Sequence, residues 1–407
     1  MARLAERGRL DMLFFGDGTG IPDTWEDSRD GAVRWGIQWP RHDKSPLIPL
    51  MAAAAPNVGF AVTFSPTYMH PYYVARLLSS LDHLTAGRVA LNLITSTRLS
   101  DAANYGFDAL MEHGQRYERA EEFAQVCLEL WGSVAPDAIV LDPETGVFAD
   151  PDGVHAIDHH GEYWDVRGPL NCMPMPQGHP VMLQAGQSER GIQSSARYAE
   201  VVFAGGGNLA YMRRHRELLD GFLVEEGRDP RDVGILWSTQ VMIGESEAEA
   251  RAKLSALADQ LPLESGGVYL AHNSGFDFST LGPKFTLGEA AAAIEAAQGT
   301  QSGFVHRLMA VEGPDYLMSL DELQERVRLG MLGVESAICG TAAQVADQLE
   351  ELHQGTGANG GFMISGACGP SPRALVDIVD HLIPELQRRG VYRTEYEGST
   401  LRDRLTS

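Results

Sequence analysis

Short apolar runs alternate with amphipathic helical stretches along most of this sequence, and this alternation limits the possible folds more than any other feature. The apolar runs have the length of buried strands, and apolar residues at helical spacing follow them. About seven strands are predicted, and no hairpin signal joins one to the next, which indicates a parallel sheet. The strands are predicted at residues 10–15, 58–65, 88–95, 181–183, 201–204, 233–243 and 361–364, with a short one at 337–339.

This pattern predicts an α/β fold, most simply a (β/α)8 barrel with insertions. A doubly wound open sheet is the alternative, but no Gly-Xaa-Gly-Xaa-Xaa-Gly follows the first strand. Residues 1–407 are expected to form a single barrel domain. Residues 132–180 break the alternation and are expected to form an irregular insertion with a hairpin. Residues 262–320 break it again and are expected to form a mobile lid over one end of the fold.

Composition excludes several classes of function. The net charge of -23, from 55 acidic and 32 basic residues, would repel nucleic acids and anionic membranes. The four cysteines are widely separated and form no Cys-Xaa-Xaa-Cys pair, which is typical of reduced thiols in a cytoplasmic protein. No apolar run approaches the roughly 20 residues of a membrane span. We therefore expect a cytoplasmic protein that binds neither nucleic acid nor membrane.

The segment VMLQAGQSERG, residues 181–191, reads as a buried strand, a turn and the start of a helix. The turn spans Gln184 to Gln187, and Ser188 is the predicted N-cap. The first N–H groups of a helix lack internal partners and lie at the positive end of its dipole, so they can hold a phosphate. Gly186 would let the backbone approach such a ligand. An ordinary strand-to-helix connection without a ligand remains the alternative at this point.

In a parallel barrel the functional groups lie at the carboxyl ends of the strands. Asp17, Thr63, Ser65 and Thr95 occupy such positions here. His113 and Tyr117 are four residues apart at the start of a strongly periodic helix, so both side chains leave its first turn on one face. They could donate to or stack on a ligand at the barrel mouth, or serve as a capping histidine and a half-buried core tyrosine.

Other kinds of site have weaker support in the sequence. Hydrolysis by paired carboxylates needs two acids at strand ends, and only Asp17 is clearly placed there. Asp158, His159 and His160 could suggest a metal site, but they fall in the irregular insertion, and we expect them to close a loop. No Gly-Xaa-Ser-Xaa-Gly elbow is present for a serine nucleophile. No metal site is predicted.

Four long stretches carry a resemblance to a known family. They are TYMHPYYVARLLSSLDHLTAGRVALNLITS, NYGFDALMEHGQRYERAEEF, HHGEYWDVRGPLNCMPMPQGHPVMLQAGQSERG and PELQRRGVYRTEYEGSTLRDRL. The chain resembles the nitrilotriacetate monooxygenase and dibenzothiophene-sulfone monooxygenase branch of the bacterial-luciferase-like flavin-dependent monooxygenases. The likeness extends from about Leu4 to Leu405, and four long motifs in order are more specific than any short pattern.

The resemblance implies a barrel with FMN at its carboxyl-terminal mouth. It implies a reduced-FMN-dependent monooxygenase that receives FMNH2 from a partner NAD(P)H-dependent flavin reductase. Oxygen would be activated as a flavin C4a-(hydro)peroxide, and one oxygen atom would enter a small organic substrate. No protein nucleophile is expected, because the flavin supplies the reactivity. The protein positions the flavin, excludes water from it and forms hydrogen bonds with it.

The resemblance also assigns residues. The flavin-binding Asp falls on Asp17, the hydroxyl residue of the next strand on Thr63 or Ser65, and the phosphate-binding Ser on Ser188. His113 and Tyr117 match the family's His and Tyr, and His113 is the best candidate for a catalytic residue. Position in the chain adds cofactor contacts to this set: Asn92 and Thr95 at a strand end beside the ring, and Gln184, Gly186 and Gln187 in the phosphate turn.

One departure concerns the beginning of the chain. Members of the family usually start a few tens of residues earlier, with a first strand, whereas Met1 lies in the first predicted helix here. We expect a barrel that lacks this strand, with a late recorded start or truncation as the explanation. A truncated, catalytically compromised flavin-binding paralogue and a deazaflavin-dependent oxidoreductase are the alternative functions.

Two further expectations concern surfaces. The tail, residues 390–405, is expected to pack on a second subunit of a homodimer or homotetramer. The aromatic residues of the 18–45 loop and of the lid hint at an aromatic substrate pocket. They are Trp25, Trp35, Trp39, Phe276, Phe278 and Phe285.

Overall fold

A computed structural model describes residues 1–186, 188–298, 303–334, 336–366 and 372–406. The strands are β1 (Met12–Phe15), β2 (Gly59–Phe64), β3 (Val89–Leu93), β4 (His159–His160), β5 (Asp165–Val166), β6 (Val181–Ala185), β7 (Val201–Gly205), β8 (Gly234–Ile243), β9 (Lys284–Thr286), β10 (Leu317–Ser319), β11 (Ile338–Gly340) and β12 (Gly360–Gly366).

The helices are α1 (Ala2–Arg7), α2 (Asp30–Trp35), α3 (Ile48–Ala54), α4 (Pro71–Thr85), α5 (Leu99–Ala103), α6 (His113–Gly132), α7 (Glu189–Tyr198), α8 (Leu209–Glu225), α9 (Glu247–Ala258), α10 (Leu263–Ser274), α11 (Leu287–Gln298), α12 (Gly303–Glu312), α13 (Leu320–Met331), α14 (Ala342–Gly355), α15 (Pro372–Asp377), α16 (Ile383–Arg388) and α17 (Leu401–Thr406). None of the helices in the described part of the chain is long and apolar enough to cross a membrane.

Eight strands form one parallel sheet in the order β1-β2-β3-β6-β7-β8-β11, and β12 also pairs with β8. The two last strands share one edge of β8, since β12 pairs with Ile235–Val241 and β11 with Val241–Ile243. The α/β class and the parallel sheet predicted from the alternation are confirmed. Within the described residues β1 and β12 do not pair, so the barrel wall is open between them.

The two faces of the strands separate into an inner and an outer core. Ala61, Ala90, Leu183 and Phe203 come from four different strands and meet in one buried cluster, which places them inside the barrel. The alternate residues of the same strands, such as Phe60 and Leu91, pack against the surrounding helices. This alternation follows from the two-residue period of a strand and fixes which side chains face the interior.

The tail of the chain closes the amino-terminal end of the barrel. Leu401 is fully buried in the interior cluster, and its side chain lies against Gly59 at the start of β2. The hydroxyl of Tyr392 donates to the carbonyl of Arg9 at 2.7 Å, and that of Tyr396 to the carbonyl of Leu10 at 2.9 Å. These contacts anchor the tail to its own chain, and the packing of residues 390–405 on a second subunit stays a prediction.

Residues 262–320 are more regular than the sequence suggested. They contain α10, α11 and α12 and the antiparallel pair β9–β10, and they share a separate hydrophobic core with α13 and the 18–45 loop. Trp25, Phe278 and Phe285 are buried in this core, with Trp35 and Phe276 packed against it. These five aromatic residues therefore stabilise the insertion, whereas the sixth, Trp39, lines a cavity together with Asp17. Whether the insertion moves as a lid stays a prediction.

Residues 132–180 include one short antiparallel pair, β4 with β5. The ring of His159 lies between two carboxylates of α6, with Nδ1 3.0 Å from Glu129 and Nε2 3.3 Å from Glu122. Glu122 also accepts backbone N–H groups from Tyr163 and Trp164. These contacts hold the β4–β5 pair against α6, and His159 therefore has a structural role.

Candidate active site

A ladder of polar groups crosses the first strands where they end. The hydroxyl of Thr63 donates to the carbonyl of Phe15 at 2.7 Å, and the amide of Asn92 donates to the Thr63 hydroxyl at 3.0 Å. Thr63 and Asn92 are in register and lie two residues beyond Ala61 and Ala90, so both face the interior. Asn92 is 1% exposed and its Oδ1 has no hydrogen-bond partner. A buried acceptor of this kind favours a bound ligand that donates to it.

A second polar pair lies just beyond this ladder. The hydroxyl of Ser96 donates to the hydroxyl of Ser65 at 2.7 Å, and Arg116 of α6 donates to the Ser96 carbonyl at 2.7 Å. The carbonyl of Thr95 accepts from the Thr67 hydroxyl at 3.4 Å. Hydroxyl groups that follow β2 and β3 are thus fixed side by side at the barrel mouth.

These groups open into a cavity of about 530 Å³. Asp17 lines it, and burial raises the pKa of this carboxyl, while the N–H of Gly18 and the charges of Lys44 and Arg41 partly oppose the shift. The lining combines strand ends with the loop after β1 and the segment around α5. It comprises residues 17–21, 38–43, 63–65, 68, 69, 94, 96, 101 and 105.

The turn between β6 and α7 is compact and has little room for side chains. A Cβ on Gly186 would lie 2.7 Å from the backbone carbon of Gly191, and a Cβ on Gly191 would lie 2.8 Å from the hydroxyl oxygen of Tyr117. Ser188 is the N-cap of α7 and accepts from the N–H of Gly191 at 3.2 Å. Gln184 is on the face of β6 opposite Leu183, and its amide donates to the Gly191 carbonyl at 3.4 Å. The predicted contact Gln187 lies outside the described residues.

The first turn of α6 faces this β6–α7 turn. The rings of His113 and Tyr117 make an edge contact with centroids 5.2 Å apart, and the guanidinium of Arg190 lies 5.3 Å from the centre of the Tyr117 ring. Burial lowers the pKa of His113, and the charges of Arg116 and Arg190 act in the same direction, while Glu112 opposes them. His113 is therefore neutral at pH 7 and offers one donor and one acceptor.

The predicted site residues therefore form two groups joined by α6. Asp17, Thr63 and Ser65 line the cavity, with Asn92 bonded to Thr63, while His113, Tyr117, Gly186 and Ser188 surround the turn. Arg116 connects the groups, because it precedes Tyr117 and donates to Ser96 in the cavity wall.

Sequence reasoning missed several lining and supporting residues. Asp101 accepts from the N–H groups of Thr19 and Gly20 and so fixes the loop after β1, and Tyr68 and Tyr105 stack beside it. They belong to segments between predicted elements, where spacing gives no signal. The serine beside Thr95 was visible at a strand end, but nothing in the sequence paired Ser96 with Ser65.

Comparison with known proteins identifies the class. The chain matches the family model for luciferase-like monooxygenases over residues 1–359. It is 37% identical over 406 residues to the dibenzothiophene-sulfone monooxygenase of Rhodococcus erythropolis, covering 100% of this chain and 88% of that protein. It is 36% identical over 414 residues to nitrilotriacetate monooxygenase component A of Aminobacter aminovorans, again covering 100% and 88%.

A solved structure agrees with these matches. The crystal structure of DmoA from Hyphomicrobium sulfonivorans is similar with a TM-score of 0.86 at 33% identity, covering 100% of this chain and 84% of that one. The chain therefore belongs to the luciferase-like monooxygenase family, and the resemblance read from its motifs is confirmed. It has the barrel fold of that family and is a flavin-dependent monooxygenase.

The residues present fit a flavin. A flavin ring has donors and acceptors along one edge, and the cavity offers the hydroxyls of Thr63, Ser65 and Ser96. The buried Asn92, which donates to Thr63, has an acceptor without a partner among the described residues. A phosphate is stabilised by N–H groups at a helix start, and the β6–α7 turn presents Gly186 and the first turn of α7, where the Ser188 hydroxyl already accepts from the N–H of Gly191. The chemistry of both groups of residues therefore matches the two ends of such a cofactor.

Proposed function

We propose that this protein is a reduced-FMN-dependent monooxygenase that uses O2 to oxygenate a small organic substrate. The observation that carries the proposal is the pairing of a hydroxyl-lined cavity with a glycine turn at a helix start, joined through Arg116. When bound, the reduced flavin supplies the electrons that activate O2. The chain's own residues bind the cofactor, orient it and exclude water from it.

Most of the predicted residues have a defined task in this proposal. Ser188, Gly186 and the first N–H groups of α7 hold the phosphate. Thr63, Ser65 and Asn92 bond the edge of the ring, with Asp17 and Thr95 close to the same strand ends. Neutral His113 donates or accepts a hydrogen bond with a ligand at the barrel mouth. Tyr117 packs against the His113 ring and against the β6–α7 turn.

We further propose that FMNH2 comes from a separate NAD(P)H-dependent flavin reductase and reaches this chain by diffusion or transient contact. The nitrilotriacetate relative is named component A, which supports a second protein in that system. A cytoplasmic location fits the reductase and the reduced cysteines. The net charge of -23 argues against nucleic acid as a partner. A homodimer or homotetramer is proposed as the assembly.

Anaerobic titration with reduced FMN tests cofactor binding. Ser188→Ala should weaken reduced-FMN binding at least about tenfold, equal to about 1.4 kcal/mol, because it removes a phosphate donor. Ser188 also caps α7, so the substitution costs helix stability. Ser246→Ala is the matched control, since Ser246 caps α9 through an N–H bond of the same 3.2 Å length. Equal reduced-FMN affinity in both variants would contradict the proposal.

The fate of O2 then separates the alternatives. With a flavin reductase and NADH, free reduced FMN reduces O2 to H2O2, whereas the wild-type protein with its substrate should place one oxygen atom of isotope-labelled O2 in the product and reduce the other to water, which lowers the H2O2 formed per NADH. Binding of reduced FMN with neither labelled product nor a lower H2O2 yield over a broad substrate panel would indicate the catalytically compromised paralogue. Binding of a reduced deazaflavin in preference to reduced FMN would indicate the hydride-transfer alternative.

A further inference from the structure

One carboxylate joins helices α6 and α7. Oε1 of Glu121 in α6 lies 2.5 Å from Nη1 of Arg190, and its Oε2 lies 2.6 Å from Nη1 of Arg197. The side chain of Glu121 is 10% exposed, so water shields these ion pairs only in part. Arg190 and Arg197 are seven residues apart, about two turns of helix, and lie on the same face of α7. The two oxygens of Glu121 therefore bind opposite ends of the same helix.

Arg190 belongs to the end of α7 that carries the proposed phosphate turn. Ser188 is the N-cap, and Arg190 is the second residue of the helix. A cation in the first turn opposes the helix dipole, so it weakens this end of the helix unless an anion balances it. Burial disfavours the charged guanidinium, but the hydrogen bond and the charge of Glu121 outweigh burial and hold the pKa of Arg190 above its usual value. Glu121 is thus the anion that stabilises the start of α7.

The start of α7 also lies directly against α6. Tyr117 precedes Glu121 by one turn of α6, and the guanidinium of Arg190 lies 5.3 Å from the centre of the Tyr117 ring. A Cβ on Gly191 would lie 2.8 Å from the Tyr117 hydroxyl oxygen, so no space is left between the two helices here. The contact with Tyr117 and the ion pair of Arg190 with Glu121 together set the position of the first turn of α7.

The other end of α7 has additional partners. Nε of Arg197 lies 3.1 Å from Glu226, the C-cap residue of α8. Arg228 donates to two carbonyls at the end of α7, at 2.8 Å each. None of these contacts involves Glu121, so the carboxyl-terminal end of α7 should stay in place without this carboxylate. The loss of Glu121 should therefore move the first turn of the helix more than the last.

We propose that Glu121 is a positioning residue for the cofactor phosphate, and that it acts through Arg190 by holding the first turn of α7 in place. This rests on the proposed function, since it concerns the phosphate end of the same site. A carboxylate repels a phosphate by its charge, so any gain in affinity from Glu121 must come from the placement of the N–H groups. Neutralising Glu121 should weaken phosphate binding, although the loss of a nearby negative charge would by itself strengthen it.

A comparison of reduced FMN with reduced riboflavin tests this role. The two flavins differ only in the phosphate, so the ratio of their affinities, measured by anaerobic titration, isolates the phosphate contribution. Damage to the fold or to the ring site lowers both affinities together. Glu121→Gln should lower the ratio at least about fivefold. Glu385→Gln is the matched control, since Glu385 of α16 also bonds two arginines, each at 2.7 Å, and is 15% exposed. It should leave the ratio within about twofold.

Two arginine variants separate the ends of the helix. Arg190→Gln should lower the ratio as much as Glu121→Gln, and the double variant should lower it no further, because both changes break one ion pair. Arg197→Gln should leave the ratio within about twofold. Hydrogen exchange without cofactor should be faster at the amides of residues 191–193 in Arg190→Gln than in Arg197→Gln. This measurement keeps the test valid should Glu121→Gln fail to fold.

The possible results lead to different conclusions. An unchanged or higher ratio in Glu121→Gln overturns the positioning role, and the proposed function stands if reduced FMN still binds. A higher ratio in Glu121→Gln with a lower one in Arg190→Gln would mean that Arg190 attracts the phosphate itself. If the wild-type protein binds both flavins equally, the turn is not the phosphate site and the role of Glu121 is overturned. If it binds neither flavin, the proposed function fails as well.

Discussion

Gly186 has no room for a side chain, because its Cβ would lie 2.7 Å from the backbone carbon of Gly191. Gly186→Ala should therefore push the β6–α7 turn open and weaken reduced-FMN binding at least about tenfold, or about 1.4 kcal/mol. Anaerobic titration measures the loss.

Gly221→Ala is the control for that change. Gly221 lies in the middle of α8 with nothing within 4 Å of its Cβ position, so alanine should stabilise the protein by about 0.5–1 kcal/mol and leave cofactor affinity unchanged. Wild-type affinity in Gly186→Ala would mean that the turn is not the phosphate site.

His215 makes stability depend on pH. It is 2% exposed between Tyr211 and Trp237, and burial, with a smaller contribution from Arg216, lowers its pKa to about 4. The unfolded chain takes up this proton near pH 6.5 and the folded chain near pH 4, so stability is complete above pH 6.5 and falls between these values. The loss should approach about 2–3 kcal/mol at pH 4.

Urea unfolding at several pH values checks this dependence. His215→Phe keeps a ring against Trp237 without a titrating group, so its stability should fall less steeply than that of the wild type between pH 6.5 and 4. His381→Gln, at an exposed position, should follow the wild-type curve. Parallel curves for wild type and His215→Phe would disprove the assignment to His215.

Some site residues could be predicted from sequence because regular structure places them. Thr63 lies near the end of an apolar strand and Asp17 follows another. His113 and Tyr117 are spaced to share one face of a helix, as their ring contact shows. Asp101 could not be found in this way. It belongs to α5 and accepts from the N–H groups of Thr19 and Gly20 in the distant loop after β1, and no local periodicity encodes that contact.

Helix α10 depends on glycines for its packing. A Cβ on Gly266 would lie 2.1 Å from the carbonyl oxygen of Gln324 in α13, so the two helices touch through their backbones. Gly266→Ala should force them apart and destabilise the second core by about 1–3 kcal/mol. Hydrogen exchange of the α10 and α13 amides measures the local effect, and urea unfolding measures the total.

A glycine on the free side of the same helix pair serves as the control. Gly330 of α13 has nothing within 4 Å of its Cβ position, so Gly330→Ala should leave α10 protected and raise helix stability by up to about 1 kcal/mol. Unchanged hydrogen exchange of the α10 and α13 amides in Gly266→Ala would show that the two helices separate without a loss of stability.

The same glycines explain why this helix was missed. Gly266 and Gly267 lower the helical propensity of residues 263–274 and resemble loop sequence when they are read alone. The helix forms because these positions let α13 and Trp25 approach, with Trp25 only 2.6 Å from a Cβ on Gly267. Tertiary packing outweighs propensity here, whereas α6 and α14 have apolar stripes that identify them locally.

Over the whole molecule, the parallel wall could be predicted because every strand is apolar and every connection contains a helix. The position of the tail could not be predicted, because Leu401 belongs to a polar segment of the sequence and yet is fully buried inside the barrel. Leu401→Ala should destabilise the protein by about 2–4 kcal/mol through loss of burial and a new cavity.

The midpoint of urea unfolding, determined for each variant, measures that change in stability. Val391→Ala is the control from the same tail, because Val391 is 52% exposed, and it should shift the stability by less than about 0.5 kcal/mol. A Leu401→Ala variant as stable as Val391→Ala would mean that the interior cluster closes without the tail.

The position of Leu401 also has a consequence for how the protein is made. The strands that it covers at their amino-terminal ends begin near residue 12, so the ribosome synthesises all of them before this leucine exists. Domains fold while they are being translated, but the amino-terminal end of this barrel stays uncovered until residue 401 leaves the exit tunnel. Until then its interior apolar surface is open at one end, and chaperones that bind such surface have the whole time of translation in which to act.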